Sequence, residues 1–101
     1  MALLTVIATL RARPGKEAEL QDYLTTLAGY TRTEMGCVSY DLNQLQGDPG
    51  LFVMVEYWTG RSAFDQHLSM PYMQEFAAQM PHLLAAPLTM QLFDMITTPK
   101  R

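Results

Sequence analysis

The sequence predicts an α+β fold of the ferredoxin-like type, an antiparallel four-stranded sheet with helices on one face. Four segments alternate in side-chain character with the period of two expected of strands, and two longer segments between them repeat apolar residues at helical spacing. Their order is strand, helix, strand, strand, helix, strand, which is the split βαβ arrangement. No linker or repeat interrupts this order, so residues 1 to 101 are predicted to form one domain.

The first strand is predicted over residues 3 to 13, where side chains alternate between two faces. Pro14 and Gly15 break this strand, and a helix follows with acidic residues in its first turn, where the helix dipole favours them. One side of this helix is apolar and is predicted to face the sheet. The residues of that side are Leu20, Tyr23, Leu24, Leu27, Ala28 and Thr31.

The second and third strands are predicted to form a hairpin, CVSYDLNQL (37 to 45) and LFVMVEYW (51 to 58), joined by a loop rich in turn residues. Strand three is apolar on both faces, and strand one presents apolar residues to both faces as well. Helices can cover only one face of a sheet, so the other face is expected to pack against a second copy of the chain. The sequence therefore predicts a homodimer.

The second half of the chain contains the remaining helices and the last strand. Ser62 is predicted to be the N-cap of a short helix around residues 62 to 68, and Pro71 suits the first position of another helix. Pro81 is expected to end or kink that helix. A last strand is predicted over residues 88 to 96.

Composition excludes several classes of partner. Only 17% of residues are charged, the net charge is −3, and the basic residues are scattered, so no basic surface for nucleic acid is expected. Cys37 is the only cysteine, which rules out an intrachain disulfide, and no cysteine and histidine cluster has zinc spacing. The apolar run near the N-terminus is too short to cross a bilayer. We expect a cytoplasmic protein without a membrane partner.

Several segments resemble the antibiotic biosynthesis monooxygenase-like domains. They are RARPGKEAEL (11 to 20), EMGCVSYDL (34 to 42), FVMVEYW (52 to 58) and AFDQHLSMPYMQEF (63 to 76). The resemblance covers most of the chain and implies a dimeric α+β barrel. It also implies oxygenation without a metal, heme or flavin, because an electron-rich phenol, quinol or anthrone can give an electron to dioxygen once it has lost a proton.

This resemblance gives Trp58 and His67 their expected roles as catalytic residues. Trp58, at the end of strand three, would form a flat wall and offer an indole N–H, and His67 would be the base or a hydrogen-bond donor to the substrate oxygen. The structural alternative is that both residues only pack in the core, where tryptophan and histidine are often found.

Six further residues are candidates for binding the substrate. Glu56 shares the Trp58 face of strand three and could pair with Arg61 or orient His67, although a simple surface salt bridge is the alternative. An aromatic pair on the third helix could clasp a planar ring or could be ordinary helix packing. The candidates are Tyr40, Met54, Glu56, Phe64, Tyr72 and Phe76.

Heme degradation is disfavoured, because relatives with that activity carry an asparagine near the end of strand one and this chain has none there. The predicted function is cofactor-independent monooxygenation of a small aromatic phenol, quinol or anthrone with dioxygen. The alternatives are a non-catalytic small-molecule-binding or stress-linked dimer, and an isomerase or degradative enzyme with a more polar pocket. A pocket large enough for a bicyclic ring, with His67 facing it, would favour the oxygenase, and a filled interior would favour the non-catalytic dimer.

Overall fold

Four antiparallel strands form one sheet, and three helices pack on one of its faces. The structure is a computed structural model, and it describes residues 2 to 100. The strand order is β2-β3-β1-β4, as the ferredoxin-like arrangement requires. The elements are β1 (Leu4–Arg11), α1 (Glu17–Thr31), β2 (Cys37–Gln44), β3 (Leu51–Trp58), α2 (Arg61–Leu68), α3 (Pro71–Leu83) and β4 (Thr89–Asp94).

The core lies between the helices and the inner face of the sheet. Alternate residues of β1 and β3 are buried on this face, and the register pairs Leu4 with Trp58 and Leu10 with Phe52. Helix α1 covers the inner face with the side predicted from its spacing, since Leu20, Leu24 and Leu27 are buried while Glu17 and Glu19 stand in its first turn. The period-two and helical patterns therefore place the core correctly.

The outer face of the sheet is apolar and uncovered by helices. Ile7, Val53 and Val55 lie there and are half-buried. Strand β4 is exposed along its whole length, and its Phe93, paired with Thr5 of β1, leaves 43% of its surface accessible. Burying such a surface in a partner would be favourable, because apolar area removed from water contributes about 25 cal/mol per Å².

Two local predictions in the second half of the chain need correction. Helix α2 begins at Arg61, and the residue before it is Gly60, so Ser62 lies inside the first turn and is not the N-cap. Helix α3 begins at Pro71 as predicted, but it continues to Leu83, two residues beyond Pro81. A proline near the end of a helix loses one backbone hydrogen bond, and here the final residues remain helical because Leu83 is buried in the core.

No helix within residues 2 to 100 combines the length and the apolar character needed to cross a membrane.

Gly36 allows the turn before β2 to touch helix α2, and this contact yields a prediction. A Cβ atom at Gly36 would lie 2.3 Å from the Cβ of Ala63 and 3.1 Å from Oγ1 of Thr59. We therefore expect Gly36→Ala to lower the free energy of unfolding by about 1–3 kcal/mol, the usual cost of overpacking.

Gly29 in α1 is the matched control, because a Cβ there meets nothing within 4 Å. Gly29→Ala should raise the free energy of unfolding by about 0.5–1 kcal/mol through helix propensity. Urea unfolding of both variants measures the difference, and equal midpoints would show that the contact between Gly36 and Ala63 is not close.

Candidate active site

A small cavity lies between the inner face of the sheet and all three helices. Its free volume is about 20 Å³, enough for one water molecule and too small for an aromatic ring. Its lining includes Met73 of α3, Leu88, and Met90 of the exposed strand β4. The other lining residues are Ala8, Leu10, Leu24, Leu27, Tyr40, Met54, Glu56, Phe64, His67 and Phe76.

His67 stands in the last turn of α2 and is 1% exposed. Its imidazole packs among aromatic rings, with the centroid of Trp58 at 4.7 Å and that of Tyr40 at 5.6 Å. Its Nδ1 lies 2.8 Å from Oε2 of Glu34. Burial lowers the pKa of His67, and the neighbouring Glu34 opposes this shift. His67 is therefore a neutral base at pH 7.

Glu56 is a carboxylic acid buried on the inner face of β3, with 2% of its surface exposed. The indole N–H of Trp58 donates a hydrogen bond to its Oε1 at 2.9 Å. Burial raises the pKa of Glu56 to about 7, and the hydrogen bond from Trp58 only partly offsets this rise. Glu56 and His67 border the same cavity, so two groups that can exchange protons near neutral pH lie beside it.

The structure corrects the expected roles of Trp58 and Glu56. Trp58 is fully buried, does not border the cavity, and gives its N–H to Glu56, so it is neither a wall of the cavity nor a free donor. Glu56 pairs with neither predicted partner, because Arg61 forms its ion pair with Asp65 and His67 is held by Glu34. Trp58 acts on the site indirectly, by binding Glu56 and supporting the His67 ring.

The two aromatic side chains of α3 do not clasp a common ring, and their contacts fit the alternative of ordinary helix packing. Phe76 borders the cavity and packs against Tyr23 at 5.3 Å between ring centroids, whereas Tyr72 stacks on Tyr30 at 5.4 Å. Both neighbours belong to α1, where Tyr23 and Tyr30 lie about two turns apart. Tyr72 lines an open outer groove of about 450 Å³ between α1 and α3, which neither His67 nor Glu56 borders.

The remaining predicted binding residues, Tyr40, Met54 and Phe64, all border the cavity. Burial raises the pKa of Tyr40 well above its usual range, so its hydroxyl stays protonated at neutral pH.

Glu34 is the site residue that sequence reasoning missed. It lies in the turn between α1 and β2, where its side chain is 11% exposed, and it accepts hydrogen bonds from both His67 and Tyr72. Thirty-three residues separate Glu34 from His67, so no local pattern joins them. The sequence signal that could have identified Glu34 is its position two residues before Gly36. Gly36 is the glycine that lets this turn approach α2.

Cys37 begins β2 and is half-buried, and burial raises the pKa of its thiol to about 11. A thiol protonated at neutral pH is a poor nucleophile. Within residues 2 to 100, no three histidine, cysteine or carboxylate side chains come together as metal ligands.

Two titratable side chains with shifted pKa values, buried beside one cavity of a small α+β domain, mark a candidate active site. The chain belongs to the antibiotic biosynthesis monooxygenase family, whose model matches residues 3–79.

Two relatives and one solved structure are similar to the chain. The putative monooxygenase Rv0793 of Mycobacterium tuberculosis is 36% identical over 84 residues, which are 83% of this chain and 82% of the relative. The uncharacterized protein sll1783 of Synechocystis is 30% identical over 95 residues; these cover 94% of this chain but 65% of that protein. The crystal structure of PA3566 from Pseudomonas aeruginosa superposes with a TM-score of 0.90 at 31% identity, over 96% of this chain and 97% of that one.

The buried carboxyl of Glu56 predicts a specific pH dependence of stability. Because its pKa is raised in the folded state, the folded chain binds this proton more tightly than the unfolded chain. The resulting stability is present below about pH 4.5 and is lost as the pH rises through about 7. The side chain in Glu56→Gln cannot ionise and still accepts the hydrogen bond from Trp58. Relative to this variant, the free energy of unfolding of the wild type should fall by about 3 kcal/mol as the pH rises from about 4.5 to above 7.

Urea unfolding of both proteins at pH 4.5 and pH 8, at one protein concentration, measures this difference. Comparing wild type with Glu56→Gln cancels the contribution of His67, whose lowered pKa changes stability in the opposite direction. If the free energy of unfolding changes with pH in the same way in both proteins, Glu56 ionises in the folded state as easily as in the unfolded state.

Proposed function

We propose that this protein is a cofactor-independent monooxygenase that oxidises a small aromatic phenol, quinol or anthrone with dioxygen. The observation that carries the proposal is the pairing of a neutral imidazole and a carboxyl of pKa about 7 at one apolar cavity. Membership of the monooxygenase family supports it. The apolar lining suits an aromatic substrate, which supplies the electrons itself.

The proposed reaction on an anthrone balances without another reductant. His67 takes a proton from the substrate, and the resulting anion gives one electron to dioxygen, forming superoxide and a substrate radical. These two combine in a C–O bond, and the proton held by His67 passes to the outer peroxide oxygen. Glu56 then removes the second hydrogen of the same carbon as a proton while the O–O bond breaks. Hydroxide leaves and takes that proton, so the CH₂ group and O₂ become a carbonyl group and water.

The closed cavity requires a route of entry for the substrate. Met73 and Met90 both border the cavity, and Met90 of the exposed strand β4 leaves 36% of its surface accessible. Methionine side chains are unbranched and move with little strain, so they can swing aside for a planar ring. We propose that the substrate enters between these two methionines and enlarges the water-sized cavity beside His67.

The filled interior favours a second candidate, a dimer that binds small molecules or has a structural role without turnover. In that case Glu56, Trp58 and His67 are core residues whose polar atoms are satisfied by each other and by Glu34. Turnover measurements decide between the two candidates.

Oxygen uptake with a hydroxylated naphthoquinol or an anthrone is the direct test of turnover. His67→Ala should lower kcat/KM by roughly 10²- to 10⁴-fold, the usual contribution of one positioned acid or base. His82→Ala is the matched control, because the other histidine is exposed near the end of α3, and it should retain wild-type activity.

Each rate must be compared with the rate of air oxidation without protein. If the folded His67→Ala variant has the same rate of oxygen uptake as the wild type once the background is subtracted, His67 is a packing residue. If the wild type never exceeds the background with any quinol or anthrone, the non-catalytic dimer replaces the oxygenase.

We also propose that the outer face of the sheet is the interface of a homodimer, as in a dimeric α+β barrel. The uncovered face around Ile7, Val53, Val55 and Phe93 supports this proposal. An interface of this kind should bury more than about 2,000 Å² and be apolar at its centre.

Light scattering at micromolar concentration should therefore give twice the mass of the 11.4 kDa chain. Phe93→Glu should shift the protein towards monomer, because it places a charge in an apolar interface. Met35→Glu, a change at a fully exposed residue in the turn after α1, is the control and should remain dimeric. A monomeric wild type would refute the interface.

A further inference from the structure

Glu34 joins three separate parts of the fold through one carboxylate oxygen. His67 of α2 and Tyr72 of α3 both donate a hydrogen bond to Oε2 of Glu34, which itself lies in the turn between α1 and β2. The side chain of Glu34 is 11% exposed and that of His67 is 1% exposed. The carboxylate is thus held beside the buried imidazole by the packing of both helices.

This arrangement determines which imidazole nitrogen carries the proton. A carboxylate only accepts hydrogen bonds, so the 2.8 Å contact requires a hydrogen on Nδ1 of His67. The hydroxyl of Tyr72 does not compete as an acceptor of that hydrogen, because burial raises its pKa and it donates to the same oxygen. In neutral His67 the lone pair is therefore on Nε2.

We propose that Glu34 is a positioning residue that fixes His67 in the Nδ1–H tautomer and so leaves Nε2 free to accept a proton from a molecule in the cavity. The proposal rests on the proposed function for its catalytic consequence. When Nε2 accepts the substrate proton, His67 becomes an imidazolium ion, and the adjacent carboxylate stabilises this charge in an apolar interior. The proton then leaves from Nε2 to the peroxide oxygen, and the Nδ1 proton stays between His67 and Glu34 throughout.

The other titratable groups around His67 do not take this role. Tyr40 of β2 faces it with ring centroids 5.6 Å apart, and Cys37 begins the same strand; burial raises the pKa of both, so they stay protonated and uncharged near neutral pH. Glu56 faces it from β3 but is hydrogen-bonded to Trp58. Tyr72 of α3 is also protonated. Among residues 2 to 100, Glu34 is the one acceptor hydrogen-bonded to the imidazole.

Nitrogen-15 NMR of histidine-labelled protein tests the tautomer directly and needs no substrate. The chain has two histidines, so exposed His82 is an internal reference and His82→Gln assigns the signals. We expect neutral wild-type His67 to show a protonated Nδ1 and a bare Nε2. Free histidine in water prefers the other tautomer, so this result would show that the protein imposes the state. A protonated Nε2 in neutral wild-type His67 would overturn the proposal.

Glu34→Gln tests whether the carboxylate is responsible. The amide can donate or accept a hydrogen bond, so we expect signals of both His67 tautomers. The pKa of His67 should fall below the wild-type value, because the carboxylate that raised it is gone. Glu75→Gln is the matched control: it removes one carboxylate from the exposed side of α3, and His67 should be unaffected. Unchanged tautomer and pKa in folded Glu34→Gln would overturn the proposal.

Kinetics separate this proposal from the proposed function. If the wild type oxidises quinols, Glu34→Gln should lower kcat/KM by between about 10-fold and 10⁴-fold and move the acid limb of the pH profile to lower pH. Tyr72→Phe keeps the ring on Tyr30 and removes only one donor to Glu34, so the tautomer should persist. If wild-type oxygen uptake never exceeds the background but the tautomer depends on Glu34, the monooxygenase fails and the positioning role stands.

Discussion

The hydrogen bond from Trp58 Nε1 to Glu56 Oε1 allows a carboxyl group to remain inside an apolar core, and the chemistry of the site depends on it. A buried carboxyl without a partner would cost several kcal/mol. With Trp58 as its donor, Glu56 stays buried and has a pKa of about 7. The same indole supports the ring of His67 at 4.7 Å, so one side chain positions both titratable groups.

Closure of the interior and reactivity are linked in this fold. Desolvation raises the pKa of Glu56 to about 7 and lowers that of His67, so the site holds a carboxyl that titrates near neutral pH beside an uncharged imidazole. Such desolvation requires a core with little free space, and the cavity in this core has a volume of only about 20 Å³. A substrate must therefore displace side chains, and the methionines beside β4 are the lining residues best able to move.

The sequence predicts the layers of this fold better than the contacts of its site. Period-two alternation identified the inner face of β3, and with it Glu56 and Trp58, because a strand fixes the direction of every second side chain. It could not show that these two residues bind each other, since Arg61 and His67 were also candidate partners of Glu56. Glu34 was missed because its contact with His67 depends on how the turn at Gly36 packs against Ala63.

A crystal structure with a planar aromatic ligand that air does not oxidise, such as a hydroxylated anthraquinone, tests the central claim most directly. We expect the ligand between the sheet and the helices, with an oxygen about 3 Å from Nε2 of His67 and with Met73 and Met90 turned away from their present positions. A ligand bound only in the outer groove beside Tyr30 and Tyr72, with the interior still closed, would contradict it.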